Sequence, residues 1–119
     1  MNTLANFFVG LVSLLHAYFL ILEMFLWDKP FGLRTLGHKP AFAAASKSLA
    51  ANQGLYNGFL AAGLVWGLLS RGPAGTSIKV FFLICVIVAG VFGGLTANRK
   101  ILLVQALPGA IALAFVLLA

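Results

Sequence analysis

Glu23 is the only carboxylate inside an apolar run of this chain, and several polar residues line up with it. At about 100° per residue on a helix, Asn6, Ser13, His16 and Glu23 fall within about 100° of arc and form one stripe. An ionisable group within a membrane-crossing segment turns to the protein interior by default and marks a functional site. His16 would lie near the middle of such a segment, and Glu23 within about a turn and a half of its end. Glu23 could carry a proton, serve as a general base, or pair with Lys47, Arg99 or Lys100. His16 could relay protons beside it, or pack inside while donating to a carbonyl or a serine hydroxyl. Two ligands seven residues apart, without a Cys/His cluster, do not make a metal site, so no metal is expected.

The densest polar set is Asn52, Gln53, Tyr56 and Asn57, which run into an apolar stretch and alternate with Gly54, Gly58, Gly63 and Gly67. A buried amide or phenol costs free energy unless it is partnered. On a helix, Asn52, Tyr56, Phe59 and Gly63 share one face, with Gln53, Asn57 and Leu60 on its neighbour. Lys47, Gly54 and Gly58 form a third line. Gly54-x-x-x-Gly58, Gly63-x-x-x-Gly67 and Gly90-x-x-x-Gly94 are spacings that let helices approach closely. Amides beside such close-approach points either bridge helices or present hydrogen-bonding groups to a pocket, and the sequence supports both. Gln105 and Asn98 fall at the same depth as Glu23 and Asn52, with Arg34 and His38 near the same end.

The elements that must position these residues follow from composition. Hydrophobic residues make up 62% of the chain and charged ones 8%, with mean hydropathy +1.08. Soluble domains carry about 25% charged residues, so an ordinary soluble globular protein is excluded. The expectation is an all-α membrane protein, a four-transmembrane-helix bundle forming one domain over residues 1–119. Its helices are predicted at about 3–27, 40–70, 78–96 and 101–119, against the roughly 20 apolar residues a crossing needs. Trp27 is an interfacial aromatic, and Asp28-Lys29-Pro30 ends the first helix before a loop over 28–39. Pro40 suits a first helical position, and the second helix, about 45 Å long, would project its first two turns beyond the acyl region. Residues 71–77 read as a tight turn and 97–100 as a short basic one. Pro108 and Gly109 predict a kink that frees a carbonyl for a side chain or ligand.

Charge sets the orientation. Lys29, Arg34, Lys39 and Lys47 flank the first loop and Arg99 and Lys100 the third turn, against Arg71 and Lys79 on the other side. Six against two places the first and third loops in the cytoplasm and both termini outside. The net charge of +6 comes from these segment ends rather than from a patch, so it points to anionic head groups and not to nucleic acid. Cys85 is the only cysteine, inside an apolar run, which suits a packing role. The first residues lack the positive stretch of a secretory signal, so the first segment reads as a retained span. No residue pattern identifies a cofactor.

Leu-Glu-Met-Phe-Leu-Trp-Asp-Lys-Pro at 22–30, with Asn-Gln-Gly-Leu-Tyr-Asn-Gly-Phe-Leu-Ala-Ala-Gly-Leu at 52–64, resembles a family of small bacterial four-span membrane proteins of unknown function. The resemblance covers essentially the whole chain and implies residence in the bacterial inner membrane, with no activity to carry over. In architecture the chain is also similar to the membrane-associated eicosanoid and glutathione metabolism proteins, four-helix chains that trimerise and bind glutathione or lipophilic substrates. In that family the second helix typically carries Arg-x-x-x-Asn-x-x-Glu; here Lys47 lies five residues before Asn52, and Leu55 takes the glutamate position. Small multidrug exporters share the length and a first-helix glutamate, but the residues around Glu23 do not match theirs.

These readings converge on a homo-oligomer, trimer or dimer, in the lipid bilayer, with a cytoplasmic-side polar pocket for a small amphipathic or lipophilic molecule. Glu23 would be the acid/base or charge partner, and Asn52, Gln53, Tyr56 and Asn57 the polar readers. Lys47 or Arg34 would anchor an anionic group, with His16 and Gln105 as further contacts. A proton-coupled carrier using Glu23 and His16 is one alternative, and a structural or assembly subunit without ligand is another.

Overall fold

A computed structural model describes residues 2–119, and every regular element among them is helical. In chain order these are α1 (Asn2–Met24), α2 (Pro30–Leu36), α3 (Pro40–Leu69), α4 (Gly72–Thr96), a π-helical segment (Leu102–Ala106) and α5 (Leu107–Leu118). Two of them, α1 and α4, are long and apolar enough to cross a bilayer. The stretch Leu102–Leu118 is apolar but shorter, and α3, 30 residues long, is not in that class because Asn52, Gln53 and Asn57 fall within it. The expected four spans thus reduce to an all-α fold with two helices of spanning character.

Three boundaries differ from expectation. The first helix stops at Met24 rather than Trp27, where Phe25 and Leu26 both donate to the Ile21 carbonyl and close the end. The expected loop over 28–39 contains α2, which opens with Pro30 and ends at Gly37 in the left-handed conformation (φ 69°). Proline at the first helical position and glycine just past the last are the ordinary punctuation of a short helix. The predicted turn over 71–77 is itself helical, because α4 begins at Gly72 and accommodates Pro73 in its first turn, where no donor is needed.

The kink expected at Pro108 takes the form of a π-helical segment. Pro108 cannot donate to Val104, and its ring crowds that carbonyl. The preceding turn widens, so that the Leu107 N–H reaches Leu102, and the chain continues as α5.

The backbone separates into two compact units. One comprises the first part of α1, through Leu14, with Leu60–Ala119. Its core is Ala5, Val9, Val12, Leu64, Leu83, Val86, Ala112 and Val116. Here α4 packs on α5 and on the π-helical segment. The Ser13 hydroxyl donates to the Ala61 carbonyl at 3.0 Å, which satisfies one polar member of the α1 stripe inside that core. The other unit is Leu15–Phe59, and it holds Glu23.

Candidate functional site

Within Leu15–Phe59, the last turn of α1 faces the middle of α3. Gln53 and Asn57 are one helical turn apart and therefore point the same way. Each is followed by a glycine, so Gly54 and Gly58 form a parallel line beside the two amides. A Cβ on Gly54 would lie 2.7 Å from the Met24 side chain and 3.0 Å from that of Glu23; one on Gly58 would lie 2.6 Å from Leu20. The missing side chains are what let α1 come close enough for Glu23 to reach the amides.

The contact is a two-point clamp. Gln53 Nε2 donates to Glu23 Oε2 at 2.6 Å, and Asn57 Nδ2 donates to Glu23 Oε1 at 2.5 Å. Asn57 is buried, Glu23 half-buried and Gln53 exposed, so the carboxylate is gripped from within and open on one side. Glu23 lies at the helix end where the macrodipole is negative, an unfavourable place for an anion by about 0.3–1 kcal/mol. Hydrogen bonds to a charged group contribute about 1.5–3 kcal/mol each, so the two amides outweigh that cost. A carboxylate has about four acceptor positions. The amides occupy one on each oxygen, which leaves acceptor capacity on the open side.

Lys47 is not the partner of Glu23. Its Nζ is 3.1 Å from Asp28 Oδ2, in the chain reversal after α1. The hydrogen bond and charge of Lys47 hold the Asp28 carboxyl below the usual aspartate range. Next to this pair, the Trp27 indole N–H donates to Ser46 Oγ at 3.0 Å, and the Ser46 hydroxyl donates to the Phe42 carbonyl at 2.7 Å. The His38 ring lies between Trp27 and Phe42, with centroids 4.6 and 4.9 Å away. The Trp27-Asp28 and Ser46-Lys47 dipeptides therefore fasten the segment after α1 onto the start of α3.

Of the residues proposed from sequence, the fold joins Glu23, Gln53 and Asn57. Asn52 and Tyr56 lie on an exposed face of α3, where the Tyr56 ring is tilted against that of Phe59, centroids 5.9 Å apart. Arg34 is exposed on α2, and Gln105 belongs to the π-helical segment of the other unit. His16 is fully buried, its ring 5.2 Å from that of Phe19. Asp28 and Ser46 went unrecognised as contact residues in the sequence, because the course of 25–29 has no periodicity to place them. The pairing of amide with glycine at 53–54 and again at 57–58 is the signal that could have singled out the face that meets Glu23.

No solved structure matches the chain. It is 32% identical over 97 residues to the uncharacterized protein YpaA of Lactococcus lactis subsp. lactis, covering 80% of this chain and 81% of the relative. Residues 10–117 match the family model described as "Protein of unknown function (DUF1304)". The span takes in the Glu23 clamp, all of Leu15–Phe59 and most of the other unit, and the chain belongs to the DUF1304 family.

Proposed function

We propose that the chain is a multi-pass inner-membrane protein whose Glu23 site binds a small amphipathic molecule through a hydrogen-bond-donating, cationic head. The observation that carries this reading is the two-amide clamp. Gln53 and Asn57 orient the carboxylate without neutralising it, and its open side retains acceptors for a ligand. A structural ion pair would have placed a cation there, and Lys47 is committed to Asp28 instead. The ligand's apolar part would lie against lipid-facing helix surface. Membrane residence is supported by how little of the two long apolar helices is covered, with 28% and 22% of their most apolar windows buried. The core helix of a soluble protein is mostly buried, whereas these faces need an apolar solvent.

In this reading α1, α3, α4 and the helical stretch after Lys100 all cross, with the first and third loops cytoplasmic and the subunits associated as dimer or trimer. Asn52, Tyr56, Arg34 and Gln105 are peripheral to the carboxylate. The carrier alternative draws support from His16, buried seven residues before Glu23 on the same helix.

The test is titration of the detergent-solubilised protein with a fluorescent alkylammonium probe, followed by anisotropy. Loss of the acceptor charge in Glu23→Gln is expected to weaken binding about tenfold or more, given about 1.5–3 kcal/mol for a charged hydrogen bond. Equal affinity in wild type and variant would remove Glu23 from the site. If an imposed proton gradient drives the probe across vesicles and Glu23→Gln or His16→Phe stops it, the carrier reading replaces simple binding.

A further inference from the structure

Away from Glu23, the unit containing Leu60–Ala119 has an unusual charge balance. Neither residues 1–14 nor residues 60–119 contain an aspartate or glutamate, yet they contain Arg71, Lys79, Arg99 and Lys100. The chain's two acidic side chains are both engaged elsewhere, Glu23 by amides and Asp28 by Lys47. Among the described residues, Lys47 with Asp28 is the one ion pair, so neither Arg71 nor Lys79 is paired with an acidic side chain.

These two cations line the same cleft, of about 330 Å³, with Asn6, Ser70, Thr76 and Ala119 around them. The cleft lies where the start of α1, the start of α4 and the end of α5 come together. Lys79 is fixed in place. Its stem passes over Gly67, where a Cβ would come within 2.6 Å of Lys79 Cγ, and its Nζ donates to Asn6 Oδ1 at 2.9 Å. An ammonium has three donors, so two remain. The guanidinium of Arg71 is exposed and donates to no group among the described residues, which leaves its planar fork intact. The Thr76 hydroxyl adds a neutral donor to the same lining. A fork, an anchored ammonium and a hydroxyl around a small cleft are the donor set for tetrahedral oxyanions.

We infer that the Arg71–Lys79 cleft binds a phosphate group with a small substituent, presented by a phospholipid head group or by a free phosphate ester. The site is separate from Glu23 and does not depend on the reading of that carboxylate. Both cations adjoin apolar helix ends, the level at which basic side chains meet anionic lipid.

The experiment uses the full chain in two arms. In the first, protein reconstituted in phosphatidylcholine containing a minor fraction of phosphatidylglycerol is extracted in detergent, and its retained lipid is quantified. We expect phosphatidylglycerol enrichment over phosphatidylcholine, reduced about thirtyfold in R71Q/K79Q, since each of the two cations near an anionic surface contributes about 1 kcal/mol. R99Q/K100Q, which removes the same charge outside the cleft, should retain the enrichment. In the second arm, lipid-free protein is titrated with glycerol phosphate by ³¹P NMR. Lipid enrichment without glycerol phosphate binding assigns the site to a head group, and the converse to a soluble ester. The inference is overturned if wild type shows neither, or if R99Q/K100Q lowers both signals as much as R71Q/K79Q. A single Arg71→Gln change at an exposed position reports on the cleft should Lys79→Gln disturb folding.

Discussion

Gln53 and Asn57 hold Glu23 at a helix end where its charge is unwelcome, and the consequences fall unequally on the two amides. Asn57 is buried, so Asn57→Leu leaves a carboxylate oxygen unpartnered away from water and should destabilise the protein by about 1.5–3 kcal/mol. Gln53→Leu removes a donor that water can replace, and should cost less than half as much in the same denaturant titration. Asp28 gives a pH signature. Its folded carboxyl titrates below the ordinary value, so the Lys47 contact stabilises above about pH 4. That contribution fades as pH falls through the lowered folded value. Lys47→Met should flatten most of this acid-side dependence and lower stability at pH 7 by the same small amount, because the pair is largely solvent-exposed. The chemistry of Glu23 was legible in the sequence from its solitude and its helical stripe. The choice between the Asn52–Tyr56 face and the Gln53–Asn57 face was not, since both are polar and only the approach of α1 selects one.

At the scale of elements, glycine spacing in α3 decides whether α1 can bring Glu23 within reach. Gly54→Val should push the helices apart against Met24 and Glu23, costing about 1–3 kcal/mol as overpacking and weakening alkylammonium binding with it. Gly10→Ala is the matched control. Nothing lies within 4 Å of its new Cβ, and the gain in helix propensity should leave stability unchanged or raise it by up to about 1 kcal/mol. Thermal unfolding of both variants in one detergent makes the comparison. The long helices could be read from hydropathy because their apolar runs are unbroken. The short α2 was obscured by Pro30, Gly32 and Gly37, which suggest a loop by composition although the first and last occupy helix-punctuating positions. The π-helical turn has no sequence signal beyond Pro108, because whether a proline kinks, breaks or widens a helix depends on the packing around it.

For the molecule as a whole, the proposed membrane residence draws on apolar surface that the fold does not cover, and the proposed topology on eight basic residues divided six to two. Reporter fusions test the topology directly. Alkaline phosphatase joined after Ala119 should be active, and green fluorescent protein inserted within 28–39 should fluoresce; the reverse pattern would invert the proposed orientation. The Glu23 clamp and the Arg71–Lys79 cleft have opposite charge, so a purely cationic amphiphile that suits the first does not suit the second. The most direct measurement is native mass spectrometry of the chain gently extracted from its own membrane, as wild type and Glu23→Gln, alongside their melting temperatures. We expect wild type to carry a discrete small molecule with a basic nitrogen, absent from a Glu23→Gln protein that keeps its oligomeric mass. No discrete adduct on wild type, together with loss of the fold in Glu23→Gln, would contradict the binding role and make the clamp a structural lock.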